Sequence, residues 1–354
     1  MGLKSSDPLI NFATLKIDKL ATGALTITQP VFAGGRIVTG NKLAKIGANI
    51  NESRLVLSKD EVLLKTEQQY WQIVALNEKL KSLHLYASLL DSLCKQANDS
   101  YAAGLINKND VLKVTIKQNE IKINRLKLEN AIRLASMALC QYIGIVFDST
   151  MTLSDTLSVA VEPAQVFIDI DKALPQRQEY RLIQQGIEAE KLKTSMKRGE
   201  YLPEIGVGAS EYYTYLMDKN TLNGMVFASV KIPLSNWWGA SHALNERKNQ
   251  EEMTANSSKN NLEQLRLQIQ KEWNNLVEQY QQIDLAGAAL QQAQENVTVN
   301  ANNYKAGLVN ISDMLEAQAM LQDAHNRLSD ARADYRIALI TYMQVTGRSL
   351  YFSW

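Results

Sequence analysis

One spacing constrains this chain more than any other feature. The segment Tyr101-Ala-Ala-Gly-Leu-Ile-Asn-Lys-Asn-Asp-Val-Leu112 recurs as Tyr304-Lys-Ala-Gly-Leu-Val-Asn-Ile-Ser-Asp-Met-Leu315, at a constant offset of 203 residues (304 − 101). The same offset carries Pro30 to Pro233, Ala135 to Ala338 and Gly144 to Gly347. An offset held between landmarks from Pro30 to Gly144 marks a tandem duplication, and such a repeat outranks local pattern in deciding architecture. Whatever one copy folds into, the chain contains twice.

Each copy runs through the same parts. A short alternating segment ends at a proline, and a long proline-free stretch follows, about 36–100 in the first copy and about 238–303 in the second. As an α-helix each stretch would be on the order of 95 Å long at about 1.5 Å per residue. The Ala-Gly-Leu turn comes next, its glycine supplying the left-handed residue that ends a helix. A second periodic stretch returns, with Asn107 or Asn109 and Ser312 as candidate N-caps. In the second copy this helix carries a heptad, Met314, Leu321, Leu328, Tyr335 and Tyr342, interleaved with Ala317, Ala324, Ala331 and Ala338. A strict seven-residue period implies left-handed supercoiling on a partner helix, with the alanines allowing close approach. Val114, Ile121, Leu128, Ala135 and Tyr142 form a looser version in the first copy.

Three segments change to a period of two. In Ala24–Gln29, Leu25 and Ile27 oppose Thr26 and Thr28; in Glu204–Met217, Ile205, Val207 and Ala209 oppose Gly206, Gly208 and Ser210; in Asn223–Ile232, Val226, Ala228, Val230 and Ile232 oppose Asn223, Ser229 and Lys231. Strands apolar on one face and polar on the other suit a transmembrane barrel. Tyr212, Tyr213 and Tyr215 near one end of the hairpin, and Trp237 and Trp238 beyond the other, suit two interfacial aromatic girdles. Residues 217–223 read as the exposed loop between the strands, and Glu211 falls on the otherwise apolar face.

Composition narrows the rest. Hydrophobic residues make up 45% of the chain but aromatics only 7%, with six prolines, which favours long helices. A net charge of +1 gives no basic surplus for nucleic acid. The first residues contain no apolar signal-peptide core, and no apolar run is long enough for a membrane helix. His84, His242 and His325 stand alone, without metal-ligand spacing, and Gly206-x-Gly208 lacks the third glycine of a phosphate loop. In the proposed hairpin Cys94 and Cys140 would lie roughly 40 Å apart, too far for a disulfide. No catalytic, metal or cofactor site is expected. The residues by themselves leave open a soluble coiled-coil scaffold with no pore.

From about Thr26 to Gly347 the sequence resembles the TolC family of trimeric outer-membrane efflux and secretion channels. The resemblance is carried by Tyr304-x-Ala-Gly-Leu-x-x-x-x-Asp-x-Leu-Glu-Ala-Gln318, then Leu321, Ala324, Leu328, Ala331, Tyr335 and Gly347. Gln29-Pro-Val-Phe-Ala-Gly-Gly35, Leu202-Pro-Glu-Ile-Gly-Val-Gly-Ala209 and Ile232-Pro-Leu-Ser-Asn-Trp-Trp-Gly239 support it. It implies a mainly α fold with a small β part. Long antiparallel coiled-coil helices would form a trimeric α-barrel, and the strands would join a shared transmembrane β-barrel. The implied division is a first repeat over 1–144 (strand about 24–31, helices about 36–100 and 108–143), a connector over 145–173 and a second repeat over 174–347. The second repeat has a helix at about 174–200, strands at about 204–217 and 223–232, and helices at about 238–303 and 311–346; 348–354 is a tail. Against the family, the chain starts near the loop before the second strand, so three of four strands per protomer are expected.

The resemblance also implies roles. Tyr101, Ala103, Gly104, Leu105, Asp110, Tyr304, Ala306, Gly307 and Leu308 would form the periplasmic tip and meet an adaptor. Asp313 and Glu316 would gate the pore, their first-copy counterparts being Asp110 and Lys113. Pro30, Gly34, Gly35, Pro233 and Gly239 would lie at strand–helix junctions. Val309 stands where the family's well-studied member has a basic residue, which removes that ion-pair partner but leaves the acids. The implied activity is non-enzymatic: a passive exit duct in the outer membrane of a Gram-negative bacterium, most of the chain lying in the periplasm. Its implied partners are two further copies, outer-membrane lipid, a periplasmic adaptor (membrane fusion protein) and, through it, an inner-membrane pump or type I secretion system.

Overall fold

A computed structural model describes residues 20–157, 161–216 and 219–348. Its elements, in chain order, are β1 (Leu20–Ala33), α1 (Arg36–Ala102), α2 (Lys108–Ile143), α3 (Pro163–Val166), α4 (Ile170–Ala173), α5 (Gln178–Gly199), β2 (Glu204–Leu216), β3 (Lys219–Lys231), α6 (Trp237–Lys305) and α7 (Ile311–Val345). Single 3₁₀ turns at Leu174–Gln176 and Leu234–Asn236 lead into α5 and α6. The chain forms two compact units, Met1–Asn49 with Gln185–Ser257, and Ile50–Gln184 with Ser258–Trp354. Each unit draws on both copies of the repeat.

The first unit holds an antiparallel sheet in the order β1-β2-β3. Its register puts Ile27 opposite Ala209 and Ala209 opposite Val226; the next positions pair Thr26 with Ser210 and Ser210 with Met225. Leu25, Ile27, Ile205, Val207, Ala209, Val226, Ala228 and Val230 thus share one face, and Thr26, Thr28, Gly206, Gly208, Ser210, Met225 and Phe227 share the other. Burial is reversed relative to a soluble sheet: Val226 is 86% exposed, whereas Ser210 is 4% exposed and hydrogen-bonded to Thr26 at 2.7 Å. The strands are longer than the alternation alone suggests. β3 begins at Lys219, so most of the loop expected over 217–223 is strand, while Met217 and Asp218 lie outside the described residues. Asn220 and Thr221 look like loop by polarity, but their backbone groups complete the ladder to Tyr215 and Thr214.

Pro30 lies inside β1 rather than at its end. The register shifts between Pro30 and Phe32, a bulge at Val31 that lets a residue without an N–H sit in an edge strand. The junction proper is Gly34-Gly35, both left-handed (φ 62° and 75°). Arg36 closes it by donating to the Ala33 carbonyl at 3.2 Å and pairing with Glu204 at the start of β2. Near the other junction Trp237 Nε1 donates to the Tyr201 carbonyl at 2.9 Å, and the buried Glu190 of α5 accepts from Lys193 and from Arg247 of α6.

In the second unit α7 is the most enclosed helix. Ala317, Ala324, Ala331 and Ala338 of the small-residue stripe are all buried, as are Met314, Tyr335 and Tyr342 of the heptad. Tyr335 and Tyr342 also anchor the segment that follows α2: the first donates to the Val161 carbonyl, and the second accepts the Ile168 N–H at 3.3 Å. One core cluster joins Ile269 and Leu276 of α6 to Tyr335, Ala338 and Tyr342, and Trp273 meets Tyr342 in a tilted contact with ring centroids 5.3 Å apart. A second joins Leu83, Tyr86 and Leu90 of α1 to Val114 and Ile121 of α2 and to Ile311 and Met314 of α7.

Candidate functional site

The two turns of the repeat adopt one geometry. Gly104 is left-handed (φ 72°), its N–H bonding the Tyr101 carbonyl at 2.9 Å, and the Leu105 N–H reaches the Ser100 carbonyl at 2.9 Å. Gly307 (φ 73°) and Leu308 repeat the pair on Tyr304 and Asn303 at 3.0 and 2.9 Å. Both are Schellman closures, which require a glycine-like residue at the left-handed position. They leave Leu105 and Leu308 77% and 74% exposed at the turn, beside the exposed Ala103 and Ala306.

The helix starts differ between copies. Asn107 occupies the N-cap position of α2 but makes no side-chain cap. In the second copy the cap is Asn310, not Ser312. Its Oδ1 accepts from the N–H groups of Ser312 and Asp313 at 2.8 and 3.2 Å, and Asp313 Oδ2 accepts from the Asn310 N–H at 3.1 Å. This capping box turns the Asp313 carboxylate back onto its own helix, whereas Glu316, one turn on, is exposed. Lys113, the duplication counterpart of Glu316, bridges the copies: Nζ lies 3.3 Å from Asp110 and 3.0 Å from Ser312 Oγ. Burial, and then the Asp110 carboxylate, push the half-buried Tyr304 phenol above its usual range. Tyr304, Asp110, Lys113 and Asp313 thus gather at the tip, with a basic residue that sequence reading had not assigned to it. The 203-residue offset identifies Lys113 as the counterpart of Glu316, but only the fold shows it bridging to Ser312.

The remaining candidates are divided. Tyr213 and Tyr215 share the apolar face with Ile205 and Val207, but Tyr212 projects on the hydroxyl face, opposite Ala24 and Asn223. Trp238 is exposed and Trp237 half-exposed at the start of α6. Pro233 precedes the 3₁₀ turn at the second junction. Gly239 is an ordinary residue of α6 with open space around it, so it does not reproduce the Gly34-Gly35 turn. Among the described residues no helix is long and apolar enough to cross a membrane.

The outer membrane efflux protein family model matches residues 170–348, half of the chain. No curated protein sequence matches. Solved structures do. The outer membrane protein VceC from Vibrio cholerae has a TM-score of 0.75 at 14% identity, the match covering 94% of this chain and 87% of that one. CusC, described through conformational changes accompanying folding and transmembrane channel formation, reaches 0.81 at 14% identity, covering 93% and 78%. The open state of the Neisseria gonorrhoeae MtrE outer membrane channel reaches 0.75 at 13%, covering 94% and 81%. At these identities the solved structures establish the fold. The family match over half of the chain makes it an outer-membrane efflux component. This chain belongs to the outer membrane efflux protein family.

Proposed function

We propose that the chain is one of three identical protomers of a passive exit duct. The single observation that carries this reading is the reversed sheet, with a bare apolar face and a hydroxyl face that is hydrogen-bonded across strands. Such a face needs hydrocarbon against it, and the free edges of β1 and β3 need pairing before they can enter a bilayer. Neighbouring copies supply that pairing, and the helices continue into the periplasm. The repeat then gives two equivalent hairpin tips per protomer, where an adaptor of an efflux pump or type I secretion system engages. The direct test is fractionation of the full-length protein followed by planar-bilayer recording. A heat-dissociable trimer in the outer membrane with a defined conductance is expected. A soluble monomer would establish the scaffold reading instead.

Two roles at the tip follow. Leu105 and Leu308 form the adaptor-docking surface, so Leu308→Glu should cut export at least about tenfold, as expected for losing a contact worth over 1.4 kcal/mol at an interface hot spot. Because Leu308 is exposed, trimer yield should hold; unchanged export from an intact trimer would remove the docking role. Asp313 and Glu316 gate the pore by ringing its axis with like charge. Alanine at Asp313 would also dismantle the capping box, so Asp313→Asn with Glu316→Gln is the cleaner variant: it removes charge and keeps acceptors. Single-channel recording should give higher conductance or weaker cation preference. A trace identical to wild type in both respects would leave these acids as helix-start residues only.

A further inference from the structure

Arg348 directly follows α7, and the turn that delivers it differs from its counterpart in the first copy. Gly347 is left-handed (φ 72°), and the Arg348 N–H closes onto the Met343 carbonyl at 3.0 Å. Gly144 and Ile145 repeat that closure after α2. A Cβ at Gly144 would meet nothing, whereas one at Gly347 would lie 2.8 Å from the carbonyl carbon of Gln176. Glycine is what lets the second turn lie so closely on the Leu174–Gln176 turn. The repeat offset sets Ile145 against Arg348 (348 − 203), so only the second copy brings a guanidinium to this contact.

Beside the contact is a hollow of about 230 Å³, lined by residues of α1, of the start of α5 and of the end of α7. Leu57 and Leu63 of α1 give it an apolar wall, and Arg177 and Arg348 both line it. Arg177 is 3% exposed; its Nε and Nη2 donate to Glu179 at 3.2 and 2.6 Å, and Nη2 also donates to Gln268 at 2.9 Å. Arg348 Nε donates to Thr346 Oγ1 at 2.9 Å, and its guanidinium lies over the Tyr342 ring, 5.3 Å from the centroid. Both head groups are therefore held in place. Each still has a buried nitrogen, Arg177 Nη1 and Arg348 Nη2, with no acceptor among the described residues. A buried cationic donor without an acceptor is strongly unfavourable. Gln178 and Glu179, the first residues of α5, also line the hollow, so the positive end of that helix adds to the field.

The carboxylates decide which sign of ligand fits. Glu179 is already held by Arg177, which leaves Asp60 of α1 as the lining acid with no ion pair among the described residues. Burial, and then Glu179, push the Asp60 carboxyl above its usual range. One such group falls far short of the roughly six to eight oxygens that a hard divalent cation takes. What the hollow has in excess is donors.

We propose that the hollow holds a small oxyanion (a sulfate, phosphate or carboxylate group) that accepts from Arg177 Nη1 and Arg348 Nη2. The site lies within one unit of one copy, so it goes beyond the channel reading and does not depend on it. The test is calorimetric titration of inorganic sulfate, inorganic phosphate and acetate into the purified full-length protein, with chloride holding ionic strength constant. Binding at one site per chain is expected, and the tightest of the three probes names the group. Arg348→Gln should weaken it at least about tenfold, as for loss of a hydrogen bond to a charged group. Arg177→Gln also strips donors from Glu179 and Gln268 and can fail to fold, so Asp60→Asn is the second variant. It keeps every donor and removes the opposing charge. Asp60 shares the hollow with Glu179, Arg177 and Arg348, so wild type should bind sulfate more tightly as the pH falls toward the titration of Asp60. Asp60→Asn should bind several-fold more tightly than wild type at neutral pH and lose that dependence. Absence of binding by all three probes overturns the site, leaving the two nitrogens to internal water or to the chain beyond Arg348. Equal affinities in wild type and Arg348→Gln overturn it too. A protein that sizes as a monomer but binds sulfate in this pattern would defeat the channel reading and leave the site standing.

Discussion

Val226→Lys in the full-length protein should abolish assembly in the outer membrane, whereas Asn223→Lys, three residues away, should be tolerated. Val226 lies on the bare face of β3, opposite Ala209, and is 86% exposed. Asn223 lies on the hydroxyl face, opposite Tyr212. A lysine facing lipid near the bilayer midplane costs roughly 2–4 kcal/mol, falling toward zero near the interfaces. A trimer bears that cost three times, enough to deplete assembled channel by several orders of magnitude. The hydroxyl face meets water in a barrel and carries no such penalty. The measurement is the heat-dissociable trimer recovered from outer-membrane fractions, with total expression as the reference. For a soluble scaffold the sign reverses: the lysine would replace an exposed valine and leave yield unchanged or raise it. Equal trimer yields from the two variants would therefore remove the lipid-facing assignment.

The contrast between these variants depends on strand register, and the sequence made that partly legible. Alternation in Ile205–Ala209 and Val226–Ile232 gave the two faces, because a period of two survives in any paired strand. The start of β3 did not show, since Asn220 and Thr221 are turn-like in composition and the ladder, not propensity, makes them strand. The helix-turn-helix tips were legible for a different reason. A Schellman turn needs glycine at one position, and duplication printed that glycine twice. Asn310, Ser312 and Asp313 are all competent caps for α7 by composition, and only backbone geometry selects Asn310 over Ser312.

The junction between β1 and α1 should be the least tolerant point of the first unit, and three glycine-to-alanine changes rank it. At Gly34 an added Cβ would lie 2.1 Å from the Gly199 carbonyl oxygen, and the residue is left-handed at φ 62°. The approach is as close from the other side: a Cβ added at Gly199 would lie 2.5 Å from the Gly34 oxygen and 2.6 Å from Arg36. Backbone meets backbone, so relief requires separating α5 from the turn and straining the Arg36–Glu204 pair that closes it. Gly34→Ala should therefore cost about 4 kcal/mol or more, the range reserved for clash combined with an unfavourable conformation. Gly35→Ala shares the left-handed backbone (φ 75°) but meets nothing, so about 1–2 kcal/mol is expected. Gly239→Ala sits in α6 with open space and should stabilise by roughly 0.5–1 kcal/mol through helix propensity. Dissociation and unfolding temperatures of the three purified trimers, measured in one detergent, test the order and the change of sign. If Gly34→Ala proved no worse than Gly35→Ala, the close approach to Gly199 would not be a constraint on the fold, and the first junction would depend on its left-handed turn alone.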